Sequence, residues 1–210
     1  RLRPTKWADG LERKLSRRAA DPSERLGDLR ALHGAIRFGE RRLGSYLATL
    51  PEGMWERGSD SIHEQAAADA EAAFARLGSG LWAFADSLEL VETQDTGLRA
   101  TLRGDGKRLI VDLRDSDDAV PLLGAAAGPG MTRALTVATV RAVVAGLSRS
   151  FGSTLSSDGL LSGVELLTRP GSLCDAPPGA IGGLIALETA ARLYDVLLGA
   201  LAQAVPALLP

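Results

Sequence analysis

The sequence predicts an α+β fold: helices packed on one face of a small, mostly antiparallel sheet. Three observations lead there. Apolar residues recur at helical spacing in four stretches, near 22–50, 61–77, 132–151 and 184–204. Between the second and third stretches the chain changes period and reads as strands over 81–91, 98–102 and 108–113. Gly104-Asp105-Gly106 lies between the last two strands, where glycine supplies positive φ for a hairpin turn.

Residues 1–20 are polar and poorly periodic, and they read as a basic arm carrying Arg1, Arg3, Lys6, Arg13, Lys14, Arg17 and Arg18. Asp21 is then placed to cap a helix, with Pro22 at its first position and Glu24 three residues after the cap. Leu26, Leu29, His33, Ile36, Leu43 and Leu47 mark a buried stripe on that helix, with His33 as a satisfied core residue. Pro51-Glu52-Gly53 ends it, and a loop carries Met54 and Trp55 to a second start at Ser61 and Glu64. Ala66, Ala70, Ala73, Phe74 and Leu77 give the second helix a small-residue face for close packing, and Gly78 is its C-cap. These two helices form a predicted helical hairpin at 21–78, and 79–210 forms an α+β core that makes one composite domain with it.

Within the core, Leu109, Val111 and Leu113 alternate with Ile110 and Asp112, as in a meander strand with one buried face. A long loop at 114–130 opens with Asp115, Asp117 and Asp118. Thr132 is read as the cap of the third helix, whose apolar positions are Leu135, Val137, Val140, Val143, Val144 and Leu147. A strand near 164–168 precedes a Pro-Gly and Pro-Pro loop and the last helix.

Composition narrows the function classes. The 210 residues are 45% apolar and 24% charged, as in ordinary globular proteins. A net charge of −2 argues against a general nucleic-acid binder. The single cysteine, Cys174, cannot form an internal disulfide, so a cytoplasmic location is expected. No secretory signal is recognisable, and the uncharged run at 196–210 is shorter than the ~20 residues that span a bilayer. That apolar end predicts packing on another domain or subunit. The chain begins at Arg1 rather than methionine, which fits a processed or partial polypeptide.

Catalytic motifs are sparse. The two histidines, His33 and His63, have no metal-ligand spacing, and the aspartate loop lacks the glycine and terminal glutamate of an EF-hand. No metal ligand is assigned. Cys174 has no histidine near it in sequence, so it is not an activated nucleophile. The Gly-Ala-Ala-Ala-Gly-Pro-Gly run at 124–130 could cradle an anion before a helix, but it lacks the Lys-Ser/Thr of a P-loop. Glu188 and Arg192 are spaced i, i+4 in the favourable order for a helical ion pair, with Asp195 within reach of Arg192.

The wording of 21–43, with Asp-Pro-Ser-Glu-Arg-Leu-Gly-Asp-Leu-Arg-Ala and Gly-Glu-Arg-Arg-Leu, resembles the B-type subunits of hydantoinases and 5-oxoprolinases, which are related to acetone and acetophenone carboxylases. The resemblance returns in Arg169-Pro170-Gly171-Ser172-Leu173 and across 188–202, with Thr132-Arg133 and Arg141 between. It implies a chain that works with an A-type subunit, which uses ATP, to open cyclic amides or carboxylate ketones. The family's histidine-rich part has no counterpart in these residues. Ala186 stands where the family usually has asparagine, and Gly128-Pro129-Gly130 replaces its Asn-x-Pro step.

Two expectations follow. In the first, the chain is an accessory subunit of a hetero-oligomer, with A-type and other B-type subunits as partners, no cofactor of its own, and ATP and a divalent metal on those partners. In the second, it is part of a catalytic B-type subunit, with Arg30, Arg133, Glu188 and Arg192 as substrate-binding candidates. Neither nucleic acid nor membrane is an expected partner.

Overall fold

The computed structural model describes residues 21–91, 94–120, 124–148, 153–180 and 183–206. The chain divides into two compact units, Arg1–Arg57 and Gly58–Pro210. The expected basic arm at 1–20 lies outside the described residues.

In the first unit, helix α1 spans Pro22–Leu47. Its start follows the sequence signal. Asp21 Oδ1 accepts the amides of Ser23 and Glu24, both at 3.0 Å, so two of the free N–H groups at the helix start are satisfied. The expected buried stripe is not buried: α1 has no buried residue, and Ile36 is 67% exposed and Leu43 46%. His33 is exposed on the same helix rather than set in a core. Periodicity shows that a helix is amphipathic but not what covers it.

Helix α2 spans Met54–Leu77 and so begins seven residues before the expected start. The turn at Gly53, with φ of 68°, leads directly into it, and Met54 donates to the Pro51 carbonyl. Ser61 and Glu64 therefore lie inside the helix. In the second unit, the expected face of Ala66, Ala70, Ala73, Phe74 and Leu77 is buried. Gly78, with φ of 77°, ends the helix as read.

The sheet has strands β1 (Ser79–Val91), β2 (Gln94–Asp105), β3 (Leu109–Asp112) and β4 (Val164–Leu167), in the order β1-β2-β3-β4. The first two pairings are antiparallel, as expected of a meander, and β3–β4 is parallel. A parallel pair needs a crossover, and helix α3 (Pro129–Ser148) lies in the connection between β3 and β4. Leu109, Val111 and Leu113 are buried, and Ile110 and Asp112 are only partly so, which matches the alternation read from sequence.

Proline takes the first position of α3, and Thr132, expected as its cap, lies within it. The Thr132 hydroxyl instead donates to the Cys174 carbonyl at 2.6 Å and ties the helix to the loop after β4. By length and apolar composition the Pro129–Leu147 stretch of α3 could cross a bilayer, a test that a long core helix also passes. Val140, Val143 and Val144 of that helix lie in the core with Leu102, Val111 and Phe74. Helix α4 spans Gly183–Ala204 and buries Leu193, Val196, Leu197, Ala200 and Leu201 against β1, β2 and α3. Ala204 and Val205 pack on this core, and the rest of the apolar end at 207–210 lies outside the described residues.

Candidate functional site

Of the four candidate side chains, the fold brings two together. Glu188 and Arg192 share one face of α4 and line a depression of about 560 Å³ where that helix meets β1, with Asp86, Glu89 and Asp195. The expected helical pair does not form. Arg192 Nη1 contacts Asp86 Oδ2 at 2.7 Å, across 106 residues of sequence. An exposed i, i+4 pair contributes only ~0.3–0.5 kcal/mol, and Asp86 offers a better-held partner. The Ser87 amide donates to Asp86 Oδ1 at 2.8 Å, fixing that carboxylate before Arg192 reaches it. The Ser87 amide first, and the Arg192 guanidinium second, hold the Asp86 carboxyl below its usual range.

Arg133 lines a different groove, of about 270 Å³, with Thr136, Val137 and Leu161. Arg30 is exposed on α1 in the first unit.

A second polar centre gathers around Arg169 and Asp117. Arg169, in the Arg-Pro-Gly turn after β4, donates to the Arg114 carbonyl at 3.2 Å, the Ser116 carbonyl at 2.7 Å and Asp118 Oδ1 at 2.5 Å. Asp117 accepts the Gly97 amide at 2.7 Å and pairs with Arg99 at 2.8 Å. The Gly97 amide first, then Arg99, lower the Asp117 carboxyl below the usual range. The aspartate loop, read as solvated, is thus fastened to β2 and to the turn after β4. The Arg99–Asp117 and Arg169–Arg114 contacts span 18 and 55 residues, so local spacing carries no sign of them.

Cys174 is buried, and burial pushes its thiol up to about 11. It is an inert thiol, as its sequence context suggests. Among the described residues no group of three or more His, Cys, Asp and Glu side chains is arranged to hold a metal ion. The 124–130 turn does not fit a nucleotide either. Ala125, Ala126 and Ala127 are buried, and the Ala127 amide already donates to the Leu173 carbonyl at 2.6 Å.

The fold is thus a helix-backed mixed sheet whose acidic loop is held by an arginine in an Arg-Pro-Gly turn. The sequence profile of the Hydantoinase B/oxoprolinase family matches residues 6–210, and the chain belongs to that family. The crystal structure of an ATP-dependent caprolactamase from Pseudomonas jessenii is similar, with a TM-score of 0.68 at 21% identity. The likeness covers 90% of this chain and 31% of that one, and at this identity it speaks to the fold. No curated protein sequence matches the chain.

Proposed function

We propose that this chain is an assembly module of a cytoplasmic, ATP-dependent amidohydrolase of the hydantoinase and oxoprolinase kind, scaffolding a partner subunit that carries the nucleotide and the divalent metal. The exposed apolar surface of α1 carries this reading. Leu32, Ile36, Phe38, Leu43 and Tyr46 all stand at least 46% exposed on a helix with no buried residue, as interface surface does. The engagement of Arg169, Arg99 and Arg192 in ion pairs within the fold also supports it. These side chains brace loops and a strand.

The rival reading is a catalytic role completed by another chain. The depression lined by Glu188 and Arg192 is the observation that favours it. The two part company in a reconstitution with the A-type partner, assayed for ATP-dependent opening of a cyclic amide. Ile36→Lys with Leu43→Lys abolishes co-purification and activity together under the scaffold reading. Glu188→Gln leaves the assembled activity within about twofold, which is less than the ~1.4 kcal/mol of a tenfold change. A Glu188→Gln assembly that forms normally and is inactive would give the catalytic reading precedence.

A further inference from the structure

We propose that the outer edge of β1, with the acidic depression beside it, docks an extended, basic segment of a partner polypeptide as an added strand. The inference concerns binding alone and holds whatever reaction the assembly performs.

Among the described residues, β1 ends the sheet and pairs only with β2. In an antiparallel pair, opposed residues point their N–H and C=O groups either at each other or both away. On β2, the amides of Gly97 and Arg99 are taken on the far side, by Asp117 and by Ser116. Their partners in register are Ser87 and Ala85, so the odd positions of β1 face outward. Two outward groups confirm this direction: the Ala83 carbonyl accepts from Gln203 of α4 at 2.6 Å, and the Ser87 amide donates to Asp86. Among the described residues, no hydrogen bond engages the outward amides of Leu81, Ala83 and Ala85 or the carbonyls of Leu81 and Ala85.

These groups repeat every second residue, about 6.6–6.8 Å apart, and one extended backbone can satisfy them together. Guards are few over Leu81–Ala85, where only the Ala83 carbonyl is capped, by Gln203. β1 contains no Lys, Arg or Pro, and its only register shift lies at the far end, between Glu89 and Val91. Leu81 is 62% exposed and Phe84 39%, giving apolar contact to side chains of an incoming strand.

Charge defines the rest of the partner. The Ser87–Leu88–Glu89 end of the strand forms one wall of the depression beside α4, and no β2 residue lines it, so it opens past the sheet margin. Arg192 is matched by Asp86, and among the described residues no ion pair engages the carboxylates of Glu89, Glu188 and Asp195. A strand with Lys or Arg side chains at that end places them beside three negative groups.

The test uses the full chain and fluorescent synthetic peptides of alternating threonine and valine, with lysines at one end or the other, read by anisotropy and amide hydrogen exchange. We expect one lysine peptide to bind and to slow exchange at Leu81, Ala83 and Ala85. The glutamate version should bind at least about tenfold more weakly, a ~1.4 kcal/mol difference. Ala83→Pro, which removes an outward amide without touching the β1–β2 ladder, and the exposed charge reversal Glu188→Lys should each weaken binding by about as much. If Ala83→Pro fails to fold, the exchange footprint and Glu188→Lys still decide. Binding indifferent to peptide charge and to both variants, protection elsewhere, or no binding by any peptide would overturn the proposal. So would a β1-mediated dimer broken by Ala83→Pro, which would assign the edge to a second copy.

Discussion

Replacing Arg169 tests whether the arginines of this fold act as braces. Its guanidinium makes three contacts of unequal value. The ion pair with Asp118 is largely exposed, at 42% and 79% of the two side chains, and contributes at most about 1 kcal/mol. The Arg114 carbonyl belongs to an exposed residue, so water replaces its lost donor at little cost. The Ser116 carbonyl differs, because Ser116 is 1% exposed and loses its charged donor inside the loop. Leaving such an acceptor unmet costs about 1–3 kcal/mol. Arg169→Ala should therefore destabilise the chain by about 2 kcal/mol, mostly through Ser116. With a urea slope of about 2 kcal/mol/M, the midpoint falls by about 1 M at unchanged slope. Arg169→Lys keeps the charge but not the fork, and should recover less than half of the loss. The assay is urea unfolding followed by circular dichroism. An Arg169→Ala midpoint within about 0.2 M of the parent would refute the brace argument.

Other predictions bear on packing, redox chemistry and pH. A Cβ at Gly159 would lie 2.2 Å from the His63 carbonyl oxygen, which is backbone and cannot swing aside, so Gly159→Ala should lower stability by about 1–3 kcal/mol in the same urea assay. Cys174, buried with its thiol raised to about 11, should resist iodoacetamide at pH 8 in the native chain and react fully in urea, as intact mass would record. The carboxyls of Asp86, Asp112 and Asp117 lie below the usual range in the fold, held by the Ser87 amide, the Arg114 side chain and the Gly97 amide respectively. Their stabilisation is full above the ordinary carboxylate value and is lost as pH falls through the lowered ones. Thermal melts should therefore be flat in this respect above about pH 5 and fall below about pH 4, and Asp117→Asn should flatten the acid decline.

Local chemistry explains which parts of the fold were legible in the sequence. The alternation of Leu109, Val111 and Leu113, the turn at Gly106 and the Asp21 cap each depend on residues within a few positions, and each is legible in the sequence. The start of α2 was misplaced because Ser61 and Glu64 mimic a capping box, whereas the Gly53 turn already launches the helix at Met54. The fate of the α1 stripe and the partner of Arg192 were not legible, because both depend on what lies across space. Arg192 found an amide-anchored Asp86 on a distant strand in preference to Glu188 one turn away. Arg169 was visible as part of a family phrase, but its grip on the aspartate loop required the third dimension.

The most direct measurement is native mass spectrometry of the complex purified from its source, followed by metal analysis of each separated chain. The scaffold account predicts a stable hetero-oligomer with the metal on another subunit and none bound stoichiometrically to this chain. A monodisperse chain without partners, or one metal ion held per copy of it, would contradict that account.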